Sequence, residues 1–305
     1  CVFYNGFLPE LAPPGKIGSV SGYGWGLGYV GGLAAMFLAM TTMVNPETPW
    51  FGLSRELGQN IRATNLLVAA WFGLFSLPFF LLVKEPRPRP ARLFQPREVF
   101  TRLAATFREI RRYRQIFQFL LARLLYNDGL ITIFAFGGIY AAGTFGFSFP
   151  EIMLFGIVLN IMAGLGAFAF GFCDDRLGGK ATVLISLGGL FCASVLALTA
   201  TAKPWFWLAG VLVGIFSGPN QSASRSLLAR LTPLSKENEF FGFFAFSGKF
   251  TAFLGPLALG ILTGIFQSQR AGMAVVLVLF AAGGLLLWPV DEEGGRLAAG
   301  RGENE

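Results

Sequence analysis

The sequence predicts an all-α fold, a polytopic membrane helix bundle with about eight transmembrane helices, and three observations predict it. The 305 residues are 54% hydrophobic and only 13% charged, against roughly 25% charged in soluble domains, and mean hydropathy is +0.59. Apolar runs of about 20 residues, enough to cross about 30 Å of hydrocarbon, recur near 20–43, 64–83, 117–143, 150–173, 181–202, 205–228, 240–266 and 271–290. The connections between these runs alternate in charge, as the loops of a membrane protein do.

That alternation sets the expected topology. Lys84, Arg87, Arg89, Arg92, Arg97, Arg102, Arg108, Arg111, Arg112 and Arg114 separate the second and third runs, and Arg176 with Lys180, then Arg230 with Lys236, follow on the same side. The opposite side carries Arg55 and Arg62, balanced by Glu47 and Glu56, together with Lys203 and Arg270. The positive-inside rule then places the basic loop and the C-terminus in the cytoplasm; the expected location is a bacterial inner membrane. The net charge of +7 is thus accounted for by topology, without nucleic acid.

The chain divides into 1–83 with two apolar runs, a basic linker 84–116, a stretch 117–290 with six runs and a tail 291–305. Within the linker, 84–96 is proline-rich and cannot continue a helix. In 97–114, Val99, Phe100, Leu103, Phe107 and Ile110 share one helical face among arginines. Such a helix lies on an anionic leaflet or serves as a spacer between bundles, and both readings stay open.

Composition also excludes. With no histidine, HExxH zinc sites and Ser-His-Asp triads are ruled out, and the three cysteines form no CxxC pair. No cofactor, metal or enzymatic constellation is expected. Asp174 and Asp175 make only a weak metal pair, with no third acid near them in sequence. A chain opening on Cys1 reads as an N-terminally truncated polypeptide, lacking helices that precede it, more readily than as a lipoprotein.

Two sets of residues carry chemistry. The run Gly171-Phe-Cys-Asp-Asp175-Arg176-Leu-Gly178-Gly-Lys180 ends the fourth span. Its glycine allows close helix approach, Asp175 suits a helix N-terminus, and Arg176 and Lys180 suit leaflet phosphates, so the turn reads as a gate; a bland basic loop is the alternative. The second set comprises charges inside spans: Arg123, Asp128 and Lys249. Each costs about 2.5–3.5 kcal/mol at the bilayer centre on insertion scales, so each needs a partner or an aqueous path. Asp128, near mid-membrane, is the candidate for reversible protonation with Lys249 or Arg123 beside it; a static ion pair fixing helix packing is the alternative.

Asn160, Asn220 and Gln221 are candidate solute contacts or interhelical ties. Gly218-Pro219 is expected to kink or unwind its helix and expose carbonyls. Gly24, Gly28 and Gly32 are expected to form a close-packing face.

These segments together resemble a known family. FYNGFLPELA (3–12), SGYGWGLGYVGG (21–32), YNDG (126–129), GFCDDRLGGK (171–180), GPNQSASRSLLARLTP (218–233) and EFFGFFAFSGKFTAFLGP (239–256) are similar to the vacuolar amino-acid effluxer-like branch of the major facilitator superfamily. The resemblance implies twelve helices in two halves, with this chain supplying helices five to twelve. It adds Tyr126 and Asn127 to the site candidates and places Asp128, Asn160, Asn220, Gln221 and Lys249 on cavity-lining helices. It also implies secondary active transport of a small polar solute, amino acids first, coupled to protons or sodium. A non-transporting sensor or scaffold that kept the fold is the competing class. Gly179, where a second basic residue is usual, and Arg123 depart from the family pattern.

Overall fold

A computed structural model describes residues 2–13, 15–83 and 113–300, so all but the last two residues of the amphipathic segment expected at 97–114 lie outside the described residues. The described chain is helical: α1 Val2–Gly6, α2 Leu8–Leu11, α3 Ile17–Ala39, α4 Gln59–Leu82, α5 Arg114–Phe145, α6 Phe149–Leu177, α7 Gly179–Thr199, α8 Lys203–Leu231, α9 Glu237–Phe250, α10 Leu254–Phe266, α11 Gln269–Met273, α12 Val275–Leu287 and α13 Glu292–Ala298. Seven stretches are long and apolar enough to span a membrane: Ile17–Val44, Gln59–Leu82, Arg114–Phe145, Phe149–Leu177, Gly179–Thr199, Glu237–Phe266 and Gln269–Leu287.

The eighth expected span, 205–228, is a helix too, but α8 is too polar to join that set. The reason is its position. From Ser217 to Leu231 every residue except Gln221 is buried, so α8 meets other helices and not lipid. Pro219 does not unwind it: α8 runs unbroken through Gly218-Pro219.

Residues 1–29 and 102–305 form one compact unit and 30–101 another. In the smaller unit, a π-turn at Met40–Val44 ends the α3 span and Asn60 Nδ2 donates to the Met43 carbonyl at 3.0 Å. Asn60 is the one buried residue of α4, while Leu66, Phe72 and Phe80 on α4 are largely exposed. That is the pattern of a helix solvated by lipid.

In the larger unit, small residues let α6 pack between α3 and α8. A Cβ at Gly22 would lie 2.5 Å from the Ala167 carbonyl oxygen, and one at Gly218 would lie 1.9 Å from that of Ala163. The close-packing face of α3 is therefore Gly18, Gly22 and Gly26, not the expected Gly24, Gly28 and Gly32, since Gly28 and Gly32 meet nothing within 4 Å. Both series repeat every four residues; only the neighbour decides which faces inward. On α8, Gly210, Gly214 and Gly218 repeat the arrangement against α6.

The expected single span at 240–266 is two helices. Thr251 to Phe253 interrupts it between α9 and α10, near the middle of Glu237–Phe266. Pro256 in the first turn of α10 has no N–H to donate back into α9, so the interruption costs little there.

Candidate functional site: a charged latch and a broken helix

The turn between α6 and α7 anchors the first site. Asp175 accepts from the backbone N–H groups of Gly18 at 2.7 Å and Ser19 at 3.1 Å, and from the Ser19 hydroxyl. Those amides lie in the first turn of α3, where N–H groups have no intrahelical acceptor and the helix dipole favours an anion. Asp175 thus caps a helix far from it in sequence. Gly18 and Gly171 permit the approach: a Cβ at Gly18 would fall 2.6 Å from the Asp174 Cβ, and one at Gly171 3.1 Å from the Ser19 Cα.

Beside it, Asp174 is buried and accepts from Arg230 Nη1 at 2.6 Å and from the Ser226 hydroxyl, while Arg230 Nη2 donates to the Asp174 carbonyl at 3.1 Å. Glu292, opening α13, accepts from the backbone N–H groups of Gly179 at 3.0 Å and Lys180 at 2.8 Å and from Arg230 Nη1 at 3.2 Å. Three carboxylates therefore surround one guanidinium, and the first turns of α3 and α7 supply the remaining positive potential. Gly178, with φ of 89°, makes the turn that presents the α7 N–H groups to Glu292. Arg176 is exposed, and the Arg176 and Lys180 side chains form no hydrogen bond or ion pair among the described residues.

A second rung joins α3 to α8. Arg225 donates from Nε to the Ser21 hydroxyl at 3.0 Å, from Nη2 to the Ser21 carbonyl at 2.8 Å and from Nη1 to Asn5 Oδ1 at 3.3 Å. Gln221 Nε2 donates to the Tyr29 hydroxyl at 3.0 Å.

The second site is the interruption between α9 and α10, where α5 presents four candidates in a row. Arg123 Nη1 donates to the Phe244 carbonyl at 2.7 Å and the Ser247 hydroxyl at 3.0 Å, with its guanidinium 3.5 Å over the Phe244 ring. Tyr126 and Ser224 share a hydrogen bond of 2.7 Å. Asn127 Nδ2 donates to the Gly248 carbonyl at 3.0 Å. Asp128, 2% exposed, accepts at Oδ2 from the Gly255 N–H at 2.7 Å, and its buried Oδ1 has no hydrogen-bond partner.

No ion pair joins Asp128 to Lys249 or to Arg123 among the described residues. Arg123 reaches carbonyls, and Lys249 lies exposed on the last turn of α9. The other candidates stand apart from one another. Asn160 faces an apolar cavity of about 260 Å³ and donates to the Gly156 carbonyl of its own helix at 2.8 Å. Asn220 is fully buried, donating to the Ser186 hydroxyl at 3.0 Å.

Sequence reasoning passed over Arg230 as topological charge, Asp174 as half of a weak metal pair and Glu292 altogether, and met Arg225 only as one of a run of polar residues in its span. The available signal was burial cost: two arginines in the last turns of a long helix need partners.

The sequence pattern of the family described as "Vacuole effluxer Atg22 like" matches residues 2–300. The chain belongs to that family. Among its relatives, the MFS-type transporter YxiO of Bacillus subtilis, described as uncharacterized, is 29% identical over 96% of this chain and 68% of its own length. Autophagy-related protein 22 of Cryptococcus neoformans is 24% identical over 94% of this chain and 54% of its own length. The chain therefore spans about half to two-thirds of such relatives. Its fold matches the E. coli fucose:proton symporter FucP with a TM-score of 0.68 at 13% identity, over 94% of this chain and 72% of FucP. The family description and these relatives' names are those of transport proteins, and the fold is that of a major facilitator transporter.

Proposed function

We propose that this Atg22-like protein is part of a secondary active transporter that moves a small polar solute, amino acids first, by alternating access, and that its eight long helices correspond to helices five to twelve of the superfamily fold. The observation that carries this reading is the latch. Asp175 on the first turn of α3, with Asp174, Arg230 and Glu292 behind it, ties elements that a rocking bundle must separate. The tie is made of helix dipoles and charge-assisted hydrogen bonds, which water replaces when the seam opens.

Gly171, Asp175 and Gly178 shape the gate, and Arg176 and Lys180 stay available for leaflet phosphates at the cytoplasmic face. The chain sits in a bacterial inner membrane with its C-terminus inside, as the basic linker favours. Asp128 is the ion-coupling carboxyl. Lys249, an exposed ammonium with no ion pair among the described residues, supplies the complementary charge for the solute or for Asp128 in another state. Arg123, Tyr126, Asn127, Asn160, Asn220 and Gln221 are the polar contacts on offer to the solute.

Flux of labelled amino acids in proteoliposomes tests this. Wild type exchanges at least one of them across the bilayer, and an imposed proton or sodium gradient drives net movement. Asp128→Asn still exchanges solute but no longer responds to the gradient. Failure of folded protein to move any solute sinks the transport reading, and an unchanged gradient response in Asp128→Asn sinks the coupling role.

A further inference from the structure

We propose that Oδ1 of Asp128 is a proton-binding atom, and that its occupancy sets how tightly the first turn of α10 is held at the mid-span break. The proposal rests on the reading of Asp128 as the coupling carboxyl and specifies its ion and its lever.

The two carboxylate oxygens are inequivalent. Oδ2 accepts from the Gly255 N–H at 2.7 Å, in the first turn of α10. Oδ1 is buried without a partner. The nearby Thr132 hydroxyl is committed elsewhere, donating to the Asp128 backbone carbonyl at 2.8 Å. An ionised carboxylate with one bare oxygen in a buried site is costly, and a proton on that oxygen removes the charge with no other group moving. Uptake forms one O–H bond at Oδ1 and breaks one in the hydronium ion that delivers the proton; release returns the proton to water.

The same carboxylate is the cap of a half-helix. When ionised it gives Gly255 a charge-assisted hydrogen bond and lies in the positive field of the α10 N-terminus. When neutral it keeps a weaker hydrogen bond and loses the field term. The contact is built for close range: a Cβ at position 255 would fall 2.2 Å from Thr132 Oγ1 and 3.3 Å from Asp128 Oδ2. Meanwhile Arg123 and Asn127 hold the other half-helix, α9, through the Phe244 and Gly248 carbonyls. Neither of those two bonds changes with Asp128 charge in kind, so α9 stays anchored to α5 while α10 is released.

The surrounding charges leave Asp128 to titrate against this contact. On α5 itself, Arg123 and Tyr126 are bonded to α9 and to Ser224 of α8. Lys249 of α9 is exposed and forms no ion pair among the described residues, and α10 and α12 carry no titratable side chain. On the other helices against α5, Glu151 and Lys203 pair with each other, Arg270 caps carbonyls at 198 and 200, and Arg225 is held by Ser21. Asp174, Asp175, Arg230, Glu292, Glu293 and Arg296 belong to the latch end. A hard metal cation takes about six or more oxygen ligands, whereas one bare oxygen suits a proton. No group of three or more His, Cys, Asp or Glu placed to hold a metal ion exists among the described residues.

Amide hydrogen exchange over 251–258, in protein held in lipid nanodiscs and corrected for the intrinsic pH dependence of exchange, tests the lever. As pH falls, wild-type exchange is expected to accelerate about tenfold beyond the intrinsic change, together with the infrared C=O band of a protonated carboxyl. Asp128→Asn is fixed at the faster rate at every pH and lacks the band, Asp128→Glu retains a titration, and exchanging sodium for choline at constant pH changes nothing. Persistence of the pH response in Asp128→Asn, or a response to sodium in wild type, overturns the proposal. So does a pH-independent segment in wild type, even where Asp128→Asn has lost its gradient-driven flux; in that case the coupling role survives and the lever does not. A segment that titrates in wild type but not in Asp128→Asn, with the gradient-driven flux of Asp128→Asn intact, supports the proton site and sinks the coupling role instead.

Discussion

Arg230→Met lowers the unfolding midpoint of the detergent-solubilised protein by about 10 °C, because removing one partner of a buried ion pair costs roughly 3–5 kcal/mol. Arg230 Nη1 lies 2.6 Å from Asp174 and 3.2 Å from Glu292, and the Asp174 side chain is only 2% exposed. Methionine fills much of the arginine's volume but leaves Asp174 with the Ser226 hydroxyl as its one remaining side-chain donor. The cost is therefore that of an uncompensated buried carboxylate, and not of lost packing. Asp174→Asn in the Arg230→Met background recovers part of the loss, since neutralising the orphan removes the penalty. Intrinsic tryptophan fluorescence during a thermal ramp reads both variants. By contrast Arg176→Gln, on an exposed side chain without a partner, shifts the midpoint by no more than about 1 °C.

The second large effect is Gly218→Ala, which prevents α6 and α8 from closing and leaves little folded protein to purify. An added Cβ there would sit 1.9 Å from the Ala163 carbonyl oxygen, and one at Gly166 2.1 Å from that of Ile215. Both obstacles are backbone, so no rotamer change relieves them and the helices must separate. Overpacking of this kind costs about 1–3 kcal/mol or more, and the loss extends along the whole Gly210–Gly214–Gly218 stripe. Pro219 adds to the effect. Having no N–H, it leaves the Ile215 carbonyl without its helical donor, and Gly166 is the residue that lets that carbonyl lie against α6. Gly188→Ala is the control: nothing lies within 4 Å of its Cβ position, so better helix propensity leaves it neutral or more stable by up to about 1 kcal/mol. Yield and size-exclusion homogeneity after solubilisation distinguish the two variants.

The two cases show where sequence reading reaches and where it stops. Hydropathy located the long helices because lipid imposes a one-dimensional requirement on each, about 20 apolar residues. It misjudged α8 only in kind, since a helix surrounded by helices is free to be polar. The capping of a helix by Asp175 was legible because a carboxylate after a close-packing glycine has few favourable neighbours besides an N-terminus. Which N-terminus, and that Arg230 and Glu292 would share the site, depended on contacts between residues 56 or more positions apart. Glycine spacing told that α3 packs closely but not on which face, because 18-22-26 and 24-28-32 are equally good repeats in one dimension. The Asp128–Lys249 pairing failed as a contact for a related reason: charge cost says that a partner is needed, and here a backbone N–H at a helix break answers the need.

The claim on which the account turns is that the seam between α3 and α6 must open during each transport cycle. A Cβ at Gly164 would lie 3.3 Å from the Tyr29 Cβ, close to the roughly 3.5–4.5 Å that a disulfide requires. Flux is measured in proteoliposomes bearing Tyr29→Cys with Gly164→Cys and no other cysteine, before and after oxidation and again after thiol reduction. Complete cross-linking is expected to stop solute movement, and reduction to restore it to the pre-oxidation rate. Undiminished flux through fully cross-linked protein would contradict the account.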